Sequence, residues 1–170
     1  MGRNSIAKER KQNPKKRLEI IDGLIVFFKS HSLAQSNMDE IAEGLKKSKA
    51  TLYKYFKSKE EMVDALINHK IEKIVGFVPI LIDDEIPFFD RYEQSFSLLH
   101  NHISDITIDF MDDLKTVYPL IYKNIELLID LAVRELAAYY NEGMERGVFN
   151  VLNAKMLSQI YFILFQTLTD

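Results

Sequence analysis

Lys49, Ala50, Thr51, Tyr53 and Lys54 fall within one short run, Lys-Ala-Thr-Leu-Tyr-Lys-Tyr-Phe, whose residue types suit contact with a nucleic acid. A helix that enters the DNA major groove presents its N-terminal residues to base edges. In such a helix Lys49 donates to guanine O6 and N7, and Thr51 donates, accepts or touches a thymine methyl. Ala50 lets the backbone come close. Tyr53 and Lys54 offer a hydroxyl and an ammonium to phosphate oxygens. Leu52, Tyr55 and Phe56 face inward and hold the helix at a fixed angle. Taken singly, each residue also fits a solvated or core position of an ordinary helix. The combination with its neighbours carries the reading.

Those neighbours form a capped pair of short helices. Asn37 caps a helix over Met38 to about Gly44, and Glu40 three residues on completes a capping box. Met38, Ile41, Ala42 and Leu45 point inward. Ser48 caps the second helix, about Lys49 to Phe56. Upstream, Lys15 to Lys29 reads as an amphipathic helix, with Ile20, Ile21, Leu24, Phe27 and Phe28 at three- and four-residue spacing. Ser58 caps another helix that opens with Lys59-Glu60-Glu61, acids that suit its dipole. It runs to about Phe77, and Pro79 is expected to stop it. Pro79 to Pro87 reads as a loop.

The remaining segments are also helical. Phe88 to Ile106 and Ile108 to Thr116 are expected as helices. Pro119 fits the first turn of a long helix ending near Gly143 or Gly147. A last helix, about Ala154 to Leu168, is apolar on more than one face. No strand-like alternation or repeat is present, so the fold class is all-α.

Composition narrows the function. The chain has 170 residues and no cysteine, which excludes disulfides and thiolate metal sites and fits a cytoplasmic protein. No run of 18 apolar residues exists, so no membrane partner is expected. The N-terminal stretch is too polar for a signal peptide. With four scattered histidines and no Gly-rich loop, the chain offers no catalytic constellation, no metal site and no cofactor site. His100 and His102 fall on different faces of one helix. The formal net charge of −3 is unevenly spread: residues 1–59 carry +8 and residues 60–170 carry −11. A basic third on an acidic body suits an end that meets a polyanion; two solvated surfaces of opposite sign are the plainer alternative.

Lys16 to Met62 resembles the DNA-binding domain of the TetR (tetracycline-repressor-like) family of bacterial transcription regulators. The matching residues are Ile20, Ile21, Phe27, Phe28, Met38, Ile41-Ala42, Ser48, Thr51-Leu52-Tyr53, Tyr55-Phe56 and Ser58-Lys59-Glu60. Residues 1–14 read as a flexible basic arm, and the resemblance implies a helix-turn-helix domain over 15–58 and a helical ligand-binding and dimerisation domain over 59–170. It places Lys49, Ala50, Thr51, Tyr53 and Lys54 on double-stranded DNA, Lys59 on a phosphate, and Ser36 and Asn37 near another. One departure lies in the turn, where family members usually carry Gly-Val and this chain has Lys46-Lys47. A left-handed residue is expected there, and Lys in place of Gly adds roughly 1 kcal/mol of strain. The two lysines also add attraction to the DNA backbone.

The resemblance further implies a homodimeric, ligand-responsive repressor on a palindromic operator. Leu157, Tyr161, Leu164, Phe165 and Leu168 are the expected interface residues; closure of a single chain's core by that helix is the alternative. Phe88, Phe89, Tyr92, Phe96, Phe110, Met111, Tyr118 and Tyr122 are the expected pocket lining, suited to an apolar or aromatic small-molecule effector. Asp109, Asp112, Asp113 and Glu126 are either partners for a cationic ligand or surface acids. The competing function is a protein-interaction module or activator of the same fold without small-molecule control.

Overall fold

The computed structural model describes residues 13–160. The expected arm therefore lies almost wholly outside the described residues, as do Tyr161, Leu164, Phe165 and Leu168. Eight helices are seen among the described residues: α1 (Pro14–Phe28), α2 (Met38–Gly44), α3 (Lys49–Tyr55), α4 (Lys59–Ile74), α5 (Phe77–Leu81), α6 (Phe88–Ile103), α7 (Ile108–Val117) and α8 (Pro119–Glu145). A further helical stretch begins at residues 154–160.

Local chemistry explains where these helices start and stop. Asn13 caps α1 by accepting from the amide of Lys15, and Pro14, expected in the arm, occupies the first helical turn. Asn37 Oδ1 accepts from the amides of Asp39 and Glu40, and Glu40 Oε2 accepts from the Asn37 amide at 2.9 Å, closing the capping box. α2 ends in a Schellman motif: the Lys47 amide donates to Ala42 O and the Lys46 amide to Glu43 O, both at 2.9 Å. Lys46 takes the left-handed conformation, φ 52°. α8 ends in the same way, with Gly147 at φ 70°.

Pro79 does not begin a loop. It lies in the first turn of α5, where its missing N–H leaves no bond unmade. The expected loop shrinks to the residues between Leu81 and Phe88, and α6 stops at Ile103 rather than Ile106.

Two apolar cores hold the helices together. The first joins Ile20, Leu24 and Phe28 of α1, Leu52 and Phe56 at α3, and Met62, Val63 and Leu66 of α4 to Phe110 and Leu114 of α7 and Ile121 of α8. It is continuous past Ser58, so α4 belongs to both the expected domains. The second joins Ile74, Phe77, Leu81 and Leu99 to Ala132, Leu136 and Tyr139. Arg91, 1% exposed, bridges α6 to α8 through Glu142 at 2.6 Å.

Candidate DNA-contacting surface and effector cavity

α3 is held from beneath and open above. Leu52, Tyr55 and Phe56 are buried, which sets its angle on α1 and α4. Ser48 Oγ accepts from the Thr51 amide at 3.0 Å and lies 2.7 Å from Thr51 Oγ1. The opposite face presents Lys49, Ala50 and Lys54, with Tyr53 47% exposed. Lys46 is exposed beside them and Lys47 half-buried. Lys49 Nζ lies 2.8 Å from Asp39 Oδ2 on α2. That hydrogen bond, the largest influence on it, pushes the Lys49 pKa up. Any acceptor that approaches the Lys49 ammonium there competes with Asp39.

Three expected phosphate contacts are placed differently from one another. Asn37 is exposed, with its side-chain oxygen committed to the α2 cap. Ser36 is turned inward, 7% exposed, and its hydroxyl donates to Ser32 O at 2.6 Å. Lys59 donates to the carbonyls of Leu33 and Ser36, and its burial pushes its pKa down. The reason is geometric: the α1–α2 connection folds its carbonyls toward the start of α4, and the ammonium satisfies them. Lys59 thus clamps the segment that leads into α2.

The same connection is gripped from the other side. Asp113 on α7 accepts from Ser32 Oγ at 2.7 Å and from the Ala34 amide at 2.9 Å. Those bonds, the amide of Ala34 first, hold the Asp113 carboxyl below the usual range. Asp105, between α6 and α7, pairs with Lys29 at 2.5 Å and Lys70 at 3.1 Å, and is likewise depressed, chiefly by Lys29. Two carboxylates therefore tie the body to the helix-turn-helix end. Neither tie follows from sequence spacing, because each joins residues far apart in the chain.

Beneath these ties lies a cavity of about 360 Å³ between α4, α6, α7 and α8. Its walls are mostly branched aliphatic, including Ile67, Ile71, Ile74, Leu99, Ile103 and Leu128. Of the expected lining residues, Met111 and Tyr122 stand in its wall. Phe110 packs instead against Phe28, ring centroids 5.6 Å apart. Tyr118 is half-buried against the first core, and burial raises its pKa. Phe88 stacks on Tyr139 at 4.4 Å, Tyr92 stacks on Tyr139 at 5.8 Å, and Phe96 stands 5.9 Å from Tyr92. Phe89 is 62% exposed. These rings are drawn away from the cavity because they find each other and Phe149 at the far end of α6. The wall from α4 carries no ring; its signal in the sequence is the helical spacing of Ile67, Ile71 and Ile74 with Lys70 among them. Asp112 and Lys115 also line the cavity, both exposed; Asp109 is exposed elsewhere on α7.

No helix among the described residues is long and apolar enough to cross a membrane. Residues 20–66 match the family model of the bacterial regulatory proteins of the tetR family. Solved structures with a similar fold include the TetR family transcriptional regulator PfmR from Thermus thermophilus, at 18% identity and a TM-score of 0.74, covering 88% of this chain and 84% of that one. The fatty acid degradation regulator FadR from Bacillus halodurans matches at 19% identity and 0.70, over 94% of this chain and 84% of its own. The ketosteroid transcriptional regulator KstR2 of Mycobacterium tuberculosis matches at 19% and 0.65, over 92% and 95%. At such identities the likeness is one of fold. No curated protein gives a significant match.

Proposed function

We propose, from the match of residues 20–66 to the model of the tetR family of bacterial regulatory proteins, that this chain is a cytoplasmic, homodimeric repressor that binds a palindromic operator and is released by a small apolar effector. The observation that carries DNA reading is the cap–turn–cap unit with a basic and aromatic face left open on α3. Lys49 and Thr51 read base edges, while Lys46, Lys47, Tyr53 and Lys54 hold phosphates. Ala50 permits close approach and Asn37 stands at the flank. The reading assigns no catalysis.

A second copy supplies a second recognition helix. Support for pairing comes from apolar side chains left open near the end of the described chain, with Val151 89%, Leu152 56% and Met156 51% exposed and Leu157 half-buried. A two-fold dimer sets the two α3 helices one or more helical turns of DNA apart, roughly 34–36 Å for one turn. Effector control rests on the cavity, which touches α4 and α7, the two helices that grip the α1–α2 connection. An effector with different affinity for two tilts of α4 shifts the spacing of the recognition helices.

The test is selection of bound duplexes from a random library at about 150 mM salt, where specific binding stands clear of phosphate attraction. Recovery of an inverted repeat is the expected outcome. Recovery of no sequence by a folded dimer would favour the interaction module.

A further inference from the structure

Lys70 is a charged side chain in apolar surroundings. It sits on α4 between Ile67 and Ile74, lines the cavity and is 4% exposed, the one buried lysine among the described residues. Its ammonium donates to His102 O at 3.0 Å and to Asp105 Oδ2 at 3.1 Å. An ammonium carries three donors, so two bonds leave it short of its full complement. Asp105 does not serve it alone, because the other carboxylate oxygen pairs with Lys29. Two cations thus divide one anion. Burial first, then Lys70 and Lys73 against Asp105, lowers the pKa of His102, and burial with Lys73 and Lys70 against Asp22 and Glu72 does so at His69. A buried cation with half a counter-ion is costly, and an added anion removes that cost.

We propose that the cavity binds an aliphatic carboxylic acid, with its carboxylate on Lys70 and its chain among Ile71, Ile74, Leu99, Ile103 and Leu128. This rests on the reading of the cavity as the effector site. The walls select the chain, since among the described residues Tyr122 is the one ring in them. The volume, near the lower end of small-molecule sites, selects a medium length. The charge selects the head: a neutral ligand leaves Lys70 as it was, whereas a carboxylate at Lys70 supplies the missing anion. Occupancy also reaches α1, because a carboxylate on Lys70 frees Asp105 for Lys29 at the end of that helix.

Decanoate and 1-decanol, titrated calorimetrically into the full chain and its Lys70→Met variant, test this. The parent protein is expected to bind decanoate about tenfold or more tighter than decanol, as a charge-assisted bond implies. Lys70→Met is expected to keep decanol, which also shows that it folds, and to lose the preference. Asp105→Asn provides an independent arm: removal of the shared carboxylate is expected to tighten decanoate and leave decanol unchanged. Equal affinities in the parent, a preference that survives Lys70→Met, or decanoate affinity unmoved by Asp105→Asn overturns the head-group assignment while bound decanol keeps the cavity reading. Binding of neither amphiphile overturns both.

Discussion

Lys49 and Tyr53 sit four residues apart on one open helix face, yet their bonding differs. Lys49 is held by Asp39 until something displaces it, whereas the Tyr53 hydroxyl projects from a half-exposed ring. Lys49→Ala is therefore expected to alter preference at particular base pairs, by about 1–3 kcal/mol at a contacted guanine. Tyr53→Phe is expected to weaken all sequences alike. Competition binding against single-base operator variants separates the two, and uniform loss for Lys49→Ala would remove its base-reading role. Lys46 holds a left-handed backbone that costs an L-residue roughly 1–2 kcal/mol. Lys46→Gly is expected to raise the unfolding free energy by about 0.5–1 kcal/mol, the greater freedom of glycine in the unfolded chain offsetting part of the gain. The same variant is expected to flatten the salt dependence of DNA affinity by about one phosphate contact. Urea melts and a salt titration check the two halves of that trade.

Helix α2 lies close on α1. A Cβ placed on Gly44 would come within 2.4 Å of the Phe27 ring, which is buried and stacked on His31. Helix propensity favours alanine there by about 1 kcal/mol, but forcing a rigid ring aside costs about 1–3 kcal/mol. Gly44→Ala is expected to lower stability by about 1 kcal/mol or more, read from the denaturation midpoint. Between α7 and the α1–α2 connection the tie is a pair of hydrogen bonds to the Asp113 carboxylate. Asp113 and Asp105 both titrate below their ordinary value near pH 4, so their stabilisation is complete above that pH and is lost as pH falls through the depressed folded values. Asp113→Asn is expected to destabilise at neutral pH and to reduce the loss of stability below pH 4, measured by chemical denaturation across pH 2–7. Much of this level is legible in sequence, because Asn37, Ser48, Ser58 and Pro119 write helix starts in local chemistry. Pro79 misleads because proline is tolerated in a first turn as readily as it ends a helix. The cavity misleads for a different reason: aromatic residues mark a buried place without saying which one, and Phe88 and Tyr92 join Tyr139, with Phe96 against Tyr92, rather than the ligand space.

The whole molecule is polarised, basic at the helix-turn-helix end and acidic beyond it, so DNA attracts one end and repels the other. Among its open apolar residues, Val148, Val151, Leu152, Met156 and Ile160 follow one another past α8. Met156→Glu is expected to shift the sedimentation profile toward monomer and to reduce operator affinity steeply, since both recognition helices must engage together; an unchanged dimer would place the interface elsewhere. The first core imposes a further property. Phe28 meets Phe110, and Leu24 and Leu66 share a cluster with Leu114 and Ile121, across what would otherwise be a domain boundary. The helix-turn-helix end is thus not an interchangeable cassette. Grafted onto an unrelated body, residues 13–58 would present Phe28 to a surface shaped for other rings. Descendants of this chain can vary the open face of α3 alone, but drift at Phe28 or Ser32 must be answered by matching drift on α7.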